Sequence, residues 1–307
     1  MKYFFSLIRY PNLLMLALSQ LIFRYGFLHL HEVPLALNDW QFVLLVIATV
    51  CLAAGGYIIN DIMDSATDWV NKPDKVIVGK HISEYNAYNY YIGLNVVGVA
   101  IGFYLSNVIE HSGFSALFIL IAGTLYLYAT NFKQSLLVGN IIVSLLVALS
   151  VIIVGIFDLY PMATPENKDY LSIFFEIILD FAFIAFWLNL IREIIKDIED
   201  YPGDLKQGMN TLPIVLGIET TTKVVFGLTL IPTAGIIYYV LTYLYTLQGA
   251  SAYILVGVVG PLIYLLIKIW SAKQKQDFSH LSKVVKIIML LGLLSILVIT
   301  LNMKYHA

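Results

Sequence analysis

Phe174 to Asp204 reads FFEIILDFAFIAFWLNLIREIIKDIEDYPGD. From Phe181 to Ile191 it carries no charge, and then Arg192, Glu193, Lys196, Asp197, Glu199, Asp200 and Asp204 arrive within one short stretch. A helix needs about 20 mainly apolar residues to cross the hydrocarbon of a bilayer. The apolar part of this segment supplies one crossing, and the charged part predicts its mouth. The rest of the chain has the same character: 60% of its 307 residues are hydrophobic, 12% are charged and mean hydropathy is +0.83. Such a composition excludes a soluble globular domain. Alternating segments of about ten residues, the signature of a membrane β-barrel, do not occur. The predicted fold class is an all-α polytopic membrane protein.

The same length criterion predicts nine transmembrane helices in one bundle, over 13–31, 41–60, 84–105, 114–131, 136–156, 172–192, 221–245, 250–270 and 285–303. Residues 1–307 then form a single domain, with polar loops at about 60–83 and 193–220. An odd number of crossings puts the N-terminus and the loops after spans two, four, six and eight on one face. The opposite face holds only Lys168 and Lys304, and Arg24 lies within the first span; every other Lys and Arg of the 18 falls on the first face. Cytoplasmic loops are enriched in Lys and Arg, so that face is expected to be cytoplasmic and the C-terminus outside. The stretch KQKQDFSHLSKVVK, Lys273 to Lys286, is read as part of this asymmetry. Net charge is −2, and neither its size nor its distribution calls for a nucleic-acid partner; membrane lipids are the expected surroundings. The single cysteine, Cys51, permits no internal disulfide. The N-terminal run breaks at Arg9 and Pro11 without a small-residue cleavage site, so it is expected to be retained.

Span two ends in GGYIINDIMDSATDWVNKPDK, Gly55 to Lys75, on the same face as the charged end of span six. Asp61, Asp64 and Asp68 stand at i, i+3 and i+7, with Asn60 four residues ahead of Asp64; Asp197, Asp200 and Asp204 repeat that spacing. Side chains so spaced share one face of a helix, so each end presents a stripe of carboxylates. Crowded carboxylates call for a counter-charge. Hard oxygen donors suit Mg²⁺, which shares its shell with waters and phosphates. Asn60, Asp61, Asp64, Asp68, Asp197, Asp200 and Asp204 are therefore the candidate metal ligands. Lys72, Lys75, Arg192 and Lys196 would suit a phosphate-bearing ligand beside the metals. The six histidines show no ligand spacing. Gly55 and Gly56 predict close helix packing next to the first stripe.

These segments resemble the UbiA superfamily of intramembrane prenyltransferases over nearly the whole chain. NDIMDSATD (Asn60 to Asp68) resembles its first Asp-rich motif, and KDIEDYPGD followed by LKQGMNTLPIVLG (Lys196 to Gly217) resembles the second. NKPDKVIVGKHIS (Asn71 to Ser83) is similar to the loop after the first motif, although Val76 and Val78 stand where prolines are common, which predicts a looser loop. YATNFKQSLLVGN (Tyr128 to Asn140) resembles a further segment, with Asn131 where a second basic residue is usual.

The resemblance implies transfer of a prenyl group from an isoprenyl diphosphate donor to a lipophilic acceptor, with Mg²⁺, two ions, as cofactor. In that chemistry Asp64, Asp68, Asp200 and Asp204 would be catalytic by holding the metals that stabilise the leaving diphosphate. Lys133, Arg192 and Lys196 would clamp the diphosphate, with Lys72 and Lys75 on a capping loop. Tyr128 would face the allylic cation. The form of the second motif resembles enzymes that prenylate geranylgeranylglyceryl phosphate, and similar wording occurs in enzymes that prenylate aromatic rings such as homogentisate or 4-hydroxybenzoate. A transporter of ions or phosphorylated metabolites is the reading from another class; its site would be expected near the midplane on broken helices. Arg24 is either functional or reaches toward the outer face, and Glu176 and Asp180 are expected at the interface.

Overall fold

The computed structural model describes residues 1–65, 68–69 and 73–306. Lys72 lies outside them, as does the side chain of Lys75. The described residues contain nine helices long and apolar enough to cross a membrane. They are α1 (Tyr10–His31), α2 (Asp39–Met63), α3 (Glu84–Val108), α4 (Ser112–Thr130), α5 (Val138–Met162), α6 (Lys168–Lys206), α7 (Ile218–Tyr243), α8 (Gln248–Ser271) and α9 (Lys275–Tyr305). A short helix, Lys2–Leu7, precedes them. Leu14, Ile92, Val96, Phe103, Leu120, Leu241, Val256 and Ile267 are exposed on the outside of the bundle, as lipid-facing side chains must be.

The helices begin where local chemistry allows. At α2, the Asn38 side chain accepts from Gln41 N and the Gln41 side chain accepts from Asn38 N, both at 2.9 Å, which closes a capping box. Ser83 caps α3 through Asn86 N at 3.3 Å. Close approach of helices needs glycine at particular places. A Cβ on Gly55 would stand 2.6 Å from Asn95 Nδ2, and one on Gly56 would stand 2.8 Å from Leu125 Cδ2. The glycine pair therefore lets α2 seat against α3 and α4, as the sequence predicts.

Two apolar cores share α6. Phe174, Ile178 and Ala182 pack into one core with α1, α2 and α5, and Leu188, Ile191, Ile194, Ile195 and Ile198 pack into a second with α7, α8 and α9. The sequence reading ends the sixth helix near 192 and gives 193–220 to a loop. The helix instead continues to Lys206, because its charged part is amphipathic: Ile194, Ile195 and Ile198 are buried while Arg192, Lys196 and Glu199 lie on its other sides. Pro202 sits inside it, but only one turn follows, so few backbone bonds are at stake. Gly208 then takes φ +66, a left-handed conformation that ends the helix and turns the chain.

The loop after α2 is also better seated than the sequence suggests. Val76 and Val78 are buried, and Val78 packs with Ile58, Ile59, Ile62, Ala87 and Ala129. Gly79 at φ +82 allows the turn whose ends meet through Gly79 N and Ile82 O at 2.9 Å. Burial of the valines supplies the restraint that prolines would have given.

The Arg24 guanidinium extends to the connection between α1 and α2, where Nη2 lies 3.4 Å from Oδ1 of the exposed Asp39, and it is not among the residues that line the cavity described below. Arg24 lies 3% exposed in a π-helical turn of α1, with Nη1 donating to both carboxylate oxygens of Asp158 at 2.6 Å and Nη2 donating to Leu37 O at 2.6 Å. Leu37 N donates to Asp158 Oδ1 at 3.1 Å. Arg24, paired with Asp158 and Asp39, thus ties α1, the start of α2 and the end of α5. A neutral network joins the same helices: Gln20 Nε2 donates to Ser150 O at 2.9 Å, and Thr49 Oγ1 donates to Gln20 Oε1 at 2.9 Å.

Candidate active site

The acidic ends of α2 and α6 open on one cavity of about 700 Å³. Its mouth is lined by Asp64, Asp68, Glu193, Asp197, Asp200 and Asp204, interleaved with Arg9, Lys133, Arg192 and Lys196. Below the mouth the lining turns apolar, with Leu52, Ala53, Leu146, Val147, Ile184, Leu188, Met289 and Leu293. The predicted stripes therefore meet across one space, although 133 residues separate Asp64 from Asp197.

Each acidic group has its own setting. Asp64 follows the last turn of α2; its Oδ2 accepts from Asn60 Nδ2 at 2.6 Å and pairs with the Lys133 ammonium. Burial works against the charge on Lys133, and the Asp64 carboxylate more than reverses this, so the Lys133 pKa is raised above that of an ordinary lysine and the side chain stays cationic. The loop that carries Lys133 folds tightly on the start of α5. A Cβ on Gly139 would stand 2.8 Å from Phe132 O, so only glycine fits there. Asn210 N, just after the turn at Gly208, donates to Gln134 O at 3.0 Å and joins the tail of the second motif to that loop.

Asp197 accepts from Asn140 Nδ2 at 2.8 Å. Glu193, on the same helix, accepts from Arg192 Nη1 at 3.0 Å and from Lys196 Nζ at 2.9 Å, which fixes both cations on the cavity wall. Tyr128 lines the cavity within electrostatic reach of Glu193, Asp197 and Asp64. Asp61, expected with the metal ligands, is turned aside: its Oδ1 accepts from Arg9 Nη2 at 2.7 Å, and it is not among the residues that line the cavity. Arg9 holds a left-handed backbone at φ 50 and lies over the Tyr57 ring at 5.1 Å. Burial opposes its charge and Asp61 outweighs it, so its pKa is raised and the guanidinium is permanently charged. Asp180, expected at the interface, is exposed and also borders the cavity.

The donor set fits a hard divalent cation. Asn60 Oδ1 is buried without a hydrogen-bond partner, and a carbonyl oxygen in that state is an available ligand. Among the described residues no three His, Cys, Asp or Glu side chains converge to enclose an ion. That is compatible with Mg²⁺, which takes one or two carboxylates and completes its shell with waters and phosphate oxygens. Carboxylates outnumber cations at the mouth, so positive charge must come from outside the chain to balance them.

Arg9, Asn140 and Glu193 were not singled out from the sequence as site residues. Asn140 ends the Tyr128–Asn140 segment and Glu193 lies in the charged stretch just ahead of the second motif, and their residue types are the only signal.

A family model for the UbiA prenyltransferase family matches residues 25–299. The digeranylgeranylglyceryl phosphate synthase of Korarchaeum cryptofilum is 31% identical over 263 residues, which covers 84% of this chain and 85% of the relative. A solved structure from work on digeranylgeranylglyceryl phosphate synthase in membranes superposes with a TM-score of 0.63 at 24% identity, covering 97% of both chains. A UbiA homologue from Archaeoglobus fulgidus, solved bound to DMAPP and Mg²⁺, superposes with a TM-score of 0.57 at 16% identity, covering 95% of this chain and 98% of that one.

Proposed function

The chain belongs to the UbiA prenyltransferase family, and on that premise we propose that it transfers a geranylgeranyl group from the diphosphate to geranylgeranylglyceryl phosphate. The observation that carries the reading is the meeting of two acidic stripes and four cations at the mouth of one apolar cavity inside a membrane bundle. The acceptor is supported by the name of the Korarchaeum cryptofilum relative. A synthase of digeranylgeranylglyceryl phosphate must add one prenyl chain to a glyceryl phosphate that already carries another.

Asn60, Asp64, Asp68, Asp197, Asp200 and Asp204 are the residues proposed to hold Mg²⁺, each directly or through water. Asp61 is proposed to act through Arg9. When bound, the metal supplies charge that stabilises the departing diphosphate. The chain's own groups do the rest. Lys133, Arg192 and Lys196 donate to diphosphate oxygens as the allylic C–O bond breaks and the electron pair leaves with oxygen. Asp64 and Glu193 keep these cations aimed before the substrate arrives. The acceptor hydroxyl oxygen then bonds to the allylic carbon, and its proton passes to an oxygen of the departed diphosphate. Apolar walls formed by α1, α2, α5, α6 and α9 keep water from that carbon while both partners are bound. Tyr128 offers a ring face to the positive charge. Lys72 and Lys75 are proposed to close over the diphosphate from the loop after α2.

Washed membranes given geranylgeranyl diphosphate, geranylgeranylglyceryl phosphate and Mg²⁺ are expected to form the doubly prenylated lipid, and product is read by mass. Excess EDTA should abolish the product and Mg²⁺ should restore it. Undiminished turnover in chelator would remove the metal from the mechanism. Turnover of an aromatic acid in place of the glyceryl phosphate would replace the acceptor.

The orientation belongs to the same proposal: the acidic mouth and the N-terminus face the cytoplasm and the C-terminus faces outward, supported by the one-sided distribution of Lys and Arg. In a Cys51→Ala background, an impermeant maleimide should label Thr164→Cys in intact cells. Lys273→Cys should react only after permeabilisation. Labelling of position 273 in intact cells would invert the topology.

A further inference from the structure

Lys286 lies in α9, outside every motif that builds the acidic mouth, yet it lines the same cavity. Its position is about 16 Å from the start of α9 at Lys275, and Arg192 is about 18 Å from Asp204, both at 1.5 Å per residue. The two cations therefore stand at the inner edge of the acidic mouth, with Arg192 beside Glu193, and about one turn from Leu188 and Met289 of the apolar wall.

A lysine at that depth commonly runs its stem along the apolar surface and returns its ammonium to water. Lys286 turns inward instead: its Nζ donates to Asn12 Oδ1 of α1 at 2.6 Å. That partner is neutral, and among the described residues Lys286 makes no ion pair. The Arg192 charge reaches it across the cavity. Arg192 in turn spends one edge of its guanidinium on Glu193, while its Nε is buried without a hydrogen-bond partner. Two cations facing one space, one with an unmet donor, call for an anion between them. The mouth already assigns Lys133, Arg192 and Lys196 to the leaving diphosphate, so Lys286 is the lining cation left for a second phosphate, with the unmet Arg192 Nε as a further donor.

We infer that Lys286, with Arg192 and the Asn12 amide, holds the phosphate monoester of the acceptor, and so selects a phosphorylated prenyl acceptor over an uncharged one. This rests on the acceptor reading given above. It places the acceptor headgroup between α1, α6 and α9, at the inner edge of the acidic mouth. Its prenyl tail continues along the apolar wall, and its hydroxyl stays at the boundary where the allylic carbon sits.

The test measures binding to the full-length protein in detergent with EDTA present, so that metal-held phosphate is silent. The ligands are geranylgeranylglyceryl phosphate, geranylgeranylglycerol and geranylgeranyl diphosphate. Lys286→Gln should weaken the phosphorylated acceptor by roughly 10–100-fold, the loss of one charge-assisted hydrogen bond. Binding of the alcohol and of the donor should be unchanged, and Lys286→Arg should recover the phosphorylated acceptor. In turnover with Mg²⁺, KM for the acceptor should rise while kcat and the donor KM hold. Lys286→Met, which keeps the apolar stem, is the second variant should the Gln form not fold. Equal loss for alcohol and phosphate, a matching loss for the donor, or no loss at all would overturn the assignment. A wild-type protein that neither binds nor prenylates geranylgeranylglyceryl phosphate would instead defeat the acceptor reading itself.

Discussion

Asp64→Asn and Asp200→Asn are each expected to slow single-turnover prenyl transfer by roughly 10²–10³, the usual cost of removing one preorganised electrostatic stabiliser. The double variant should be little slower than the worse single one, since groups that act as a unit are strongly non-additive. The two carboxylates come from different helices, one following α2 and one in α6, and both line the same cavity. If they serve one diphosphate, losing either misplaces the charge that the other was meant to share. Asparagine keeps the shape and the hydrogen-bonding reach while removing the charge. The Asp64 variant carries a second consequence, because Lys133 pairs with that carboxylate and its raised pKa depends on it. Lys133 then loses its fixed aim, so Asp64→Asn should also raise the donor KM, whereas Asp200→Asn should act mainly on the transfer rate. Stopped-flow or quenched-flow product formation on protein of verified thermal stability reads both. Multiplicative losses in the double variant would mean two independent sites. A near wild-type rate from either folded single variant would defeat the shared-site mechanism.

Much of this arrangement was legible from residue order alone. Spans such as Asp39–Met63 and Val138–Met162 announce themselves because hydropathy is a local property. The second stripe was legible for the same reason: Asp197, Asp200 and Asp204 fall on a helix that continues past them. The first stripe was read too simply. Asp64 caps α2 and Asp68 stays one turn on, its N donating to Asp64 O at 2.8 Å, so spacing alone gives no sign that Asp61 has another partner. Asp61 stays in the last regular turn and meets Arg9 from the start of the chain, 52 residues away.

What remained hidden depends on partners far apart in sequence. Asn140 reaches Asp197 across 57 residues, and Lys286 reaches Asn12 across 274. No local pattern encodes such a meeting, so Lys286 read only as one more positive charge on the basic face. The capping loop was misjudged for a related reason. Val76 and Val78 look permissive beside prolines when only backbone stiffness is weighed, and their burial appears only once α2, α3 and α4 are assembled around them.

Arg24 gives the sharpest case and the largest stability effect. Read alone it is a charge within a span; in the fold it is half of a pair whose other half, Asp158, is 134 residues away and fully buried. Removing one member leaves a buried charge without compensation, and that typically costs about 3–5 kcal/mol. Asp158→Leu should therefore be damaging, since it leaves the guanidinium only the longer pair with the exposed Asp39 and also withdraws the acceptor from Leu37 N. Arg24→Leu strands the carboxylate but leaves that backbone bond in place. The double variant Arg24→Leu/Asp158→Leu should recover part of the loss, because replacing both members by apolar groups is often neutral or better. Recovery should stop short of wild type, for Leu37 N and Leu37 O each lose a partner when the pair is gone. Thermal unfolding of the three variants in one detergent orders them directly, and the interaction energy follows from the cycle. Neither residue lines the cavity, so the fraction that remains folded should transfer prenyl groups at the wild-type rate. Wild-type stability in either single variant would show that the pair does not hold α1 to α5, and a lost rate in a stable variant would move Arg24 from the frame of the bundle into its chemistry.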